Sequence, residues 1–277
     1  MLPTPSTSHL NFSQIYEPSE DSFLLLDALA LSTSLTFHAT RFPLSSPSPL
    51  ILEVGTGSGV VLAFATAYAE ALFGRPDVAA VGTDVNVFAC RGTGETVRGA
   101  VTDVREGDEK GERQEGGKGK GKGKGMGVWL DAVNGSLSGP LRKGCVDVLL
   151  FNPPYVPSED VPSPPSCSAE DGRGEIDQPL SKHAIFERDS KCLALATDGG
   201  VDGMEVTTQL LEQIPEVLSA RGIAYVLLCA QNRPEEVKKR IREWGAEGEW
   251  EVETVHESGK QAGWEKLQIV RIARVMR

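Results

Sequence analysis

The stretch LILEVGTGSGVV, residues 50–61, narrows the choice of fold more than any other. An apolar run of strand type meets three alternating glycines, and apolar residues of helix type follow at once. Glycines at such a junction let the chain turn tightly and let a ligand approach the backbone at a helix N-terminus. A strand feeding a helix in this way is half of a βαβ unit, so the rest of the chain should alternate in the same manner.

It does. Strands are expected in SPSPLILEVG, VAAVGTDV, VWLDAV, CVDVLLF, GIAYVLLCA, EWEVETVH and EKLQIVRIARV. A helix is expected over 16–32, capped near Ser19, with Glu20 and Asp21 at its positive end. Further helices are expected over 60–73 with a stop at Gly74, then over 86–98, 181–196 and 203–219, and from Pro234 onward. The final two strands are joined by a short loop and must be antiparallel, because a parallel pair needs a longer crossover. CVDVLLF is apolar around Asp147 and is expected at the centre of the sheet.

The prediction is therefore an α/β fold. One domain over 1–277 holds a seven-stranded, mostly parallel sheet with an antiparallel last strand and helices on both faces. From Asp103 to Gly127 periodicity is lost and Gly alternates with Lys, which predicts a disordered surface insertion. Residues 157–180 predict a second long loop.

Composition removes several function classes. The 277 residues carry a formal net charge of -11, which disfavours a protein that grips a nucleic-acid backbone. The five cysteines (Cys90, Cys145, Cys167, Cys192, Cys229) form no CxxC pair, and the four histidines lie far apart, so no disulfide framework or metal site is expected. No apolar run approaches membrane-spanning length, and the N-terminus lacks the charged start and apolar core of a secretory signal. An intracellular protein is expected, cytoplasmic and with nuclear residence as an addition.

Two acids flank the glycine loop. Glu53 lies just before it, where a carboxylate can meet a cationic amino group. Asp84 ends the next strand, where two oxygens can accept both hydroxyls of a ribose. Each acid alone reads better as a helix cap. Together with Gly55, Gly57 and Gly59 they fit a ligand with an amino acid at one end and a nucleoside at the other, and S-adenosylmethionine is such a molecule. The G-x-G-x-G spacing misses the dinucleotide fingerprint by one position, which disfavours a nicotinamide-linked oxidoreductase.

FNPPYVP, residues 151–157, ends the central strand on prolines, which have no N–H to donate to a ladder. A strand terminator explains that much. With a methyl sulfonium above the strand ends, the motif also suits chemistry on a planar nitrogen. An amide nitrogen is a poor nucleophile, so a site must orient its two N–H groups and align it with the methyl. The Asn152 side-chain oxygen and the Pro153 carbonyl are the expected acceptors. Pro154 stiffens the turn, and Tyr155 offers a flat packing face.

FNPPYVP, LEVGTGSGVV, GTDVN and YEPSEDSFLLLDAL, with DGGVDGMEV and SGKQAGWEKLQIVRI, together resemble the HemK/PrmC family of protein glutamine N5-methyltransferases. The chain begins almost directly at YEPSEDSF, without the helical domain of bacterial members, and so is most similar to the eukaryotic release-factor glutamine methyltransferase. The resemblance implies a Rossmann-like class I fold and S-adenosylmethionine as cofactor. It implies the Gln of a Gly-Gly-Gln motif in a class I translation release factor as substrate. It also implies a heterodimer with a small zinc-binding activator protein. By position it assigns the substrate amide to Asn152–Tyr155 and the cofactor to Glu53, Gly55 and Asp84. Ser22 matches a cofactor-contacting hydroxyl position. An Asp is usual near the adenine, where this chain has Asn134, with Asp131 competing. VWLDAV should lie at the sheet edge, where Val128, Trp129 and Leu130 need covering by a second chain. The rivals are a DNA adenine N6-methyltransferase, which would need base flipping and a phosphate-binding surface, and a non-catalytic scaffold. The acidic chain disfavours the first and the intact motif the second.

Overall fold

A computed structural model of the chain describes residues 2–114, 125–164, 181–246, 248–259 and 266–276, with side chains left out over 108–114. The strands are β1 (Leu50–Val54), β2 (Ala79–Asp84), β3 (Val128–Asn134), β4 (Val146–Phe151), β5 (Leu218–Cys229), β6 (Trp250–Glu257) and β7 (Leu267–Arg274). They form one sheet in the order β3-β2-β1-β4-β5-β7-β6. All five strands from β3 to β5 pair in parallel, whereas β7 is antiparallel to both β5 and β6. This is the seven-stranded, mostly parallel sheet with an antiparallel last strand that the sequence predicts. Every residue of β4 is buried, as its apolar run requires of a central strand. Its one charge, Asp147, is held by Arg221 at 2.9 Å and by the Leu50 N–H at 3.0 Å.

The helices are α1 (Glu20–Ala30), α2 (Ser32–Arg41), α3 (Val60–Ala67), α4 (Ala69–Phe73), α5 (Val87–Gln114), α6 (Lys182–Thr197), α7 (Glu205–Val217) and α8 (Pro234–Arg242). One face of the sheet packs on α1 and α3, the other on α7 and α8. All eight residues of α3 are buried. Gly74 ends α4 in the left-handed conformation, as expected of a C-terminal glycine.

Four expectations need correction. Ser19 holds the N-cap position of α1 in extended geometry but makes no side-chain cap bond. The helix expected over 60–73 breaks at Tyr68, giving α3 and α4. α2 was not expected, because STSLTFHATR is rich in Ser and Thr and has weak helix propensity; burial of Ser34, His38 and Arg41 supplies what propensity lacks. Finally, α5 continues to Gln114, so 103–114 is helical and not part of an unstructured insertion. Val101 and Val104 still pack on the core, and Glu, Lys and Arg beyond them are good helix formers. Residues 115–124 and 165–180, where much of the expected insertion and loop fall, lie outside the described residues. Among those described, no single helix is long and apolar enough to cross a membrane.

The buried ring of His38 ties α2 to the sheet. Nδ1 donates to the Leu72 carbonyl at 2.8 Å, and Nε2 accepts from the Tyr225 hydroxyl at 2.7 Å. Burial lowers its pKa from 6.5 to about 4. Between those values the unfolded chain holds a proton that the folded chain refuses. Stability is therefore complete above about pH 6.5 and falls by about 3 kcal/mol as pH drops towards 4. Denaturant titrations should show this acid loss in the wild type and a smaller one in His38→Gln.

Candidate active site

The carboxyl ends of β1, β2 and β4 open into a cavity of about 400 Å3. Its floor is the loop between β1 and α3. Gly55 and Gly57 both adopt positive φ and line the cavity, and a Cβ on Gly57 would meet nothing within 4 Å. Backbone N–H groups at the start of a fully formed helix suit an anionic or strongly polar ligand group.

Glu53 is 2% exposed and lines the cavity. Its Oε2 accepts the Leu62 N–H of the first turn of α3 at 2.9 Å. It is thus a helix cap and a cavity acid at once. Burial pushes its carboxyl well above the usual range, and the nearby Asp84 adds to this. Asp84, 8% exposed, accepts the Gly57 N–H at 2.9 Å and the Asn86 N–H at 2.8 Å. Burial raises its pKa too, against those hydrogen bonds. Two desolvated carboxyls facing one cavity favour a ligand with a cation and hydroxyl donors.

From β4, Phe151, Asn152 and Pro154 reach the cavity. The Asn152 Oδ1 is buried and has no hydrogen-bond partner among the described residues. A buried amide oxygen left unpaired costs roughly 1–3 kcal/mol, so it is a site for a donor that arrives with a ligand.

Several residues chosen from the sequence sit elsewhere. Gly59 is not in the cavity wall. A Cβ there would stand 2.6 Å from the Thr93 Cα, so this glycine lets α5 approach α3. Asn134 is also off the wall, because its Nδ2 donates to the Asp84 and Val85 carbonyls at 2.9 and 3.0 Å. Asp131 is exposed on β3. Gly135, Ser136 and Leu137 form that part of the wall instead. Pro153 and Tyr155 do not line the cavity, and Tyr155 packs half-buried against the core. Trp129 likewise packs inward, since side chains alternate along a strand.

Ser22 lines the cavity, and so does Asp21 beside it, which the sequence did not single out as a site residue. Asp21 Oδ1 accepts the Ser22 N–H at 2.6 Å. The sequence showed Asp21 only as a helix-dipole acid. An N-terminal strap carrying Ile15 and Tyr16 closes one side. The Asn86 Nδ2 donates to the Gln14 carbonyl at 2.7 Å, and the Gln14 Nε2 donates to Asp189 of α6 at 3.1 Å. α6 in turn contributes Cys192, Leu195 and Ala196 to the wall. No local signal marks these residues, because their partners lie far away in the chain.

The chain is 32% identical over 278 residues to the mouse methyltransferase HEMK2, covering 99% of this chain and 97% of the relative. The chain belongs to the HemK/PrmC methyltransferase family. The human methyltransferase HEMK2 is 31% identical over 274 residues, covering 98% of this chain and 96% of its own. The catalytic subunit mtq2 of the Schizosaccharomyces pombe eRF1 methyltransferase is 30% identical over 283 residues, with 99% and 97% covered. No family model matches the chain. As a HemK/PrmC methyltransferase it uses S-adenosylmethionine, and the cavity fits that molecule. Glu53 and Asp84 suit its two polar ends, and the open face of Gly57 leaves room between them.

Proposed function

We propose that this enzyme methylates the N5 of the glutamine in a Gly-Gly-Gln motif of a class I translation release factor. The buried, unpaired Asn152 Oδ1 at the end of β4 carries this reading. A primary amide has two N–H donors, and its lone pair is delocalised into the carbonyl. An acceptor that takes one N–H turns the plane of the group. With one N–H so held, the nitrogen is turned into line with the methyl. Glu53 and Ser22 hold the amino-acid end of S-adenosylmethionine, and Asp84 holds its ribose. When bound, the cofactor supplies an electrophilic methyl on a sulfonium. The Asn152 Oδ1 stabilises the positive charge that grows on the amide nitrogen until its proton passes to solvent. The S. pombe relative is named for the release factor eRF1, which supports the same substrate class here.

The enzyme works as the catalytic subunit of a heterodimer in the cytoplasm, with a nuclear pool in addition. Its partner is a small zinc-binding activator protein. β3 is the outer strand of the sheet, and Val128 and Leu130 are 56% and 55% exposed on it. An apolar edge of this kind invites strand pairing or cover. Leu130→Asp should weaken the activator complex by about 30–100-fold, from lost apolar burial and a desolvated charge. Titration calorimetry with purified activator measures this, and unchanged affinity would place the partner elsewhere.

Incubation with labelled S-adenosylmethionine, the activator and either release factor or duplex DNA tests the substrate. Label on the release-factor glutamine supports the proposal. Label on adenine would sink it.

A further inference from the structure

Behind the NPPY segment lies a second loop whose backbone touches it directly. Residues 198–204 (DGGVDGM) run from α6 towards α7. The Val156 N–H donates to the Thr197 carbonyl at 3.0 Å, and the Gly199 N–H donates back to the Val156 carbonyl at 2.8 Å. The Ser158 N–H reaches the Gly200 carbonyl at 3.1 Å, and the Gly200 N–H reaches the Ser158 Oγ at 2.9 Å. A Cβ on Gly199 would stand 2.3 Å from the Pro154 carbonyl oxygen, and one on Gly203 only 2.0 Å from that of Tyr155. No side chain fits there, so the two backbones set each other's position.

The bracing loop is held from a third element. Asn232 lies in the 3-10 turn that follows β5 and is 3% exposed. Its Oδ1 accepts the Cys229 N–H at 2.8 Å, at the last residue of β5. Its Nδ2 donates to the Asp202 carbonyl at 3.0 Å and the Gly203 carbonyl at 3.3 Å. Asp202 stands at φ 56, a left-handed conformation that a non-glycine residue keeps only when its surroundings enforce it. β5 pairs with β4, Phe151 lying opposite Val226. One amide thus joins the strand beside β4 to the loop that supports the residues following Asn152.

We propose that Asn232 is a positioning residue for methyl transfer, fixing the 198–204 loop against Pro154 and Tyr155 so that the Asn152 amide keeps its place in the cavity. This rests on reading Asn152 as the substrate clamp. A residue that merely finishes β5 would need only the bond to Cys229. The pair of donors to Asp202 and Gly203 has no such use.

Asn232→Asp separates the two roles, because a carboxylate still accepts the Cys229 N–H but cannot donate to the two carbonyls. Gly203→Ala attacks the same contact from the loop side. In the full chain with its activator, both variants should lower kcat about 10–100-fold while the KM for release factor changes little. S-adenosylhomocysteine affinity should stay within about threefold, since the glycine-loop wall is untouched. Amide exchange at Val156 and Gly199 should accelerate about tenfold or more, with Leu62 unchanged. Unchanged kcat and exchange in Asn232→Asp would overturn the proposal. Equal loss of exchange protection at Leu62 and of cofactor affinity would also overturn it, by making the role structural. Should the wild type fail to methylate release factor, the substrate reading fails, and local exchange at Val156 and Gly199 still decides the positioning role.

Discussion

Asn152→Ala is expected to slow methyl transfer to release factor by about 10²–10³-fold, the usual loss when one preorganised hydrogen-bonding group is removed from a reacting centre. S-adenosylhomocysteine binding should stay within about threefold, because Glu53, Gly57 and Asp84 form a different wall. The variant should also melt no lower than the wild type. The Asn152 Oδ1 has no partner among the described residues, so removing it takes away a desolvated acceptor and breaks no bond to that oxygen. Single-turnover assays with labelled cofactor, beside calorimetric binding and thermal unfolding, separate the three quantities. Retention of kcat within about threefold would remove Asn152 from the chemistry.

Glu53→Gln should raise stability at neutral pH and weaken cofactor binding by about 30–1000-fold. The Leu62 N–H bond survives, because the Gln oxygen accepts equally well. What changes is the charge. In the folded state burial and Asp84 raise the Glu53 pKa above its unfolded value. Such a carboxyl adds stability at low pH that is lost as pH rises through the folded value, so the ionised form opposes folding at neutral pH. A bound ammonium reverses that balance, and losing one partner of a desolvated charge pair costs about 2–4 kcal/mol. Cofactor binding should accordingly release a proton wherever the free carboxyl is protonated, and Glu53→Gln should abolish the release. Calorimetry in buffers of different ionisation enthalpy reads this. Equal affinities for wild type and variant would leave Glu53 as a helix cap only.

The core of the site was legible before any coordinates. Glu53, Gly55 and Gly57 fall at one strand end, Asp84 at the next and Asn152 at a third, and a parallel sheet gathers strand ends on one edge. Chemistry borne by residues within a few positions of a strand terminus can therefore be placed from local pattern. Gly59 and Asn134 show where that stops. Both lie in the right segments, yet one is taken by the packing of α5 and the other by two backbone carbonyls.

Sequence alone determined the seven strands, the glycine turn and the chemical types at the strand ends. Those depend on side-chain periodicity and backbone permission, which act over a few residues. Tertiary structure alone decided that α2 is a helix, that Asp21 and the N-terminal strap wall the cavity, and that Asn232 reaches Asp202 and Gly203. Each depends on desolvation or hydrogen bonding between groups tens to hundreds of positions apart, which only the assembled fold brings together.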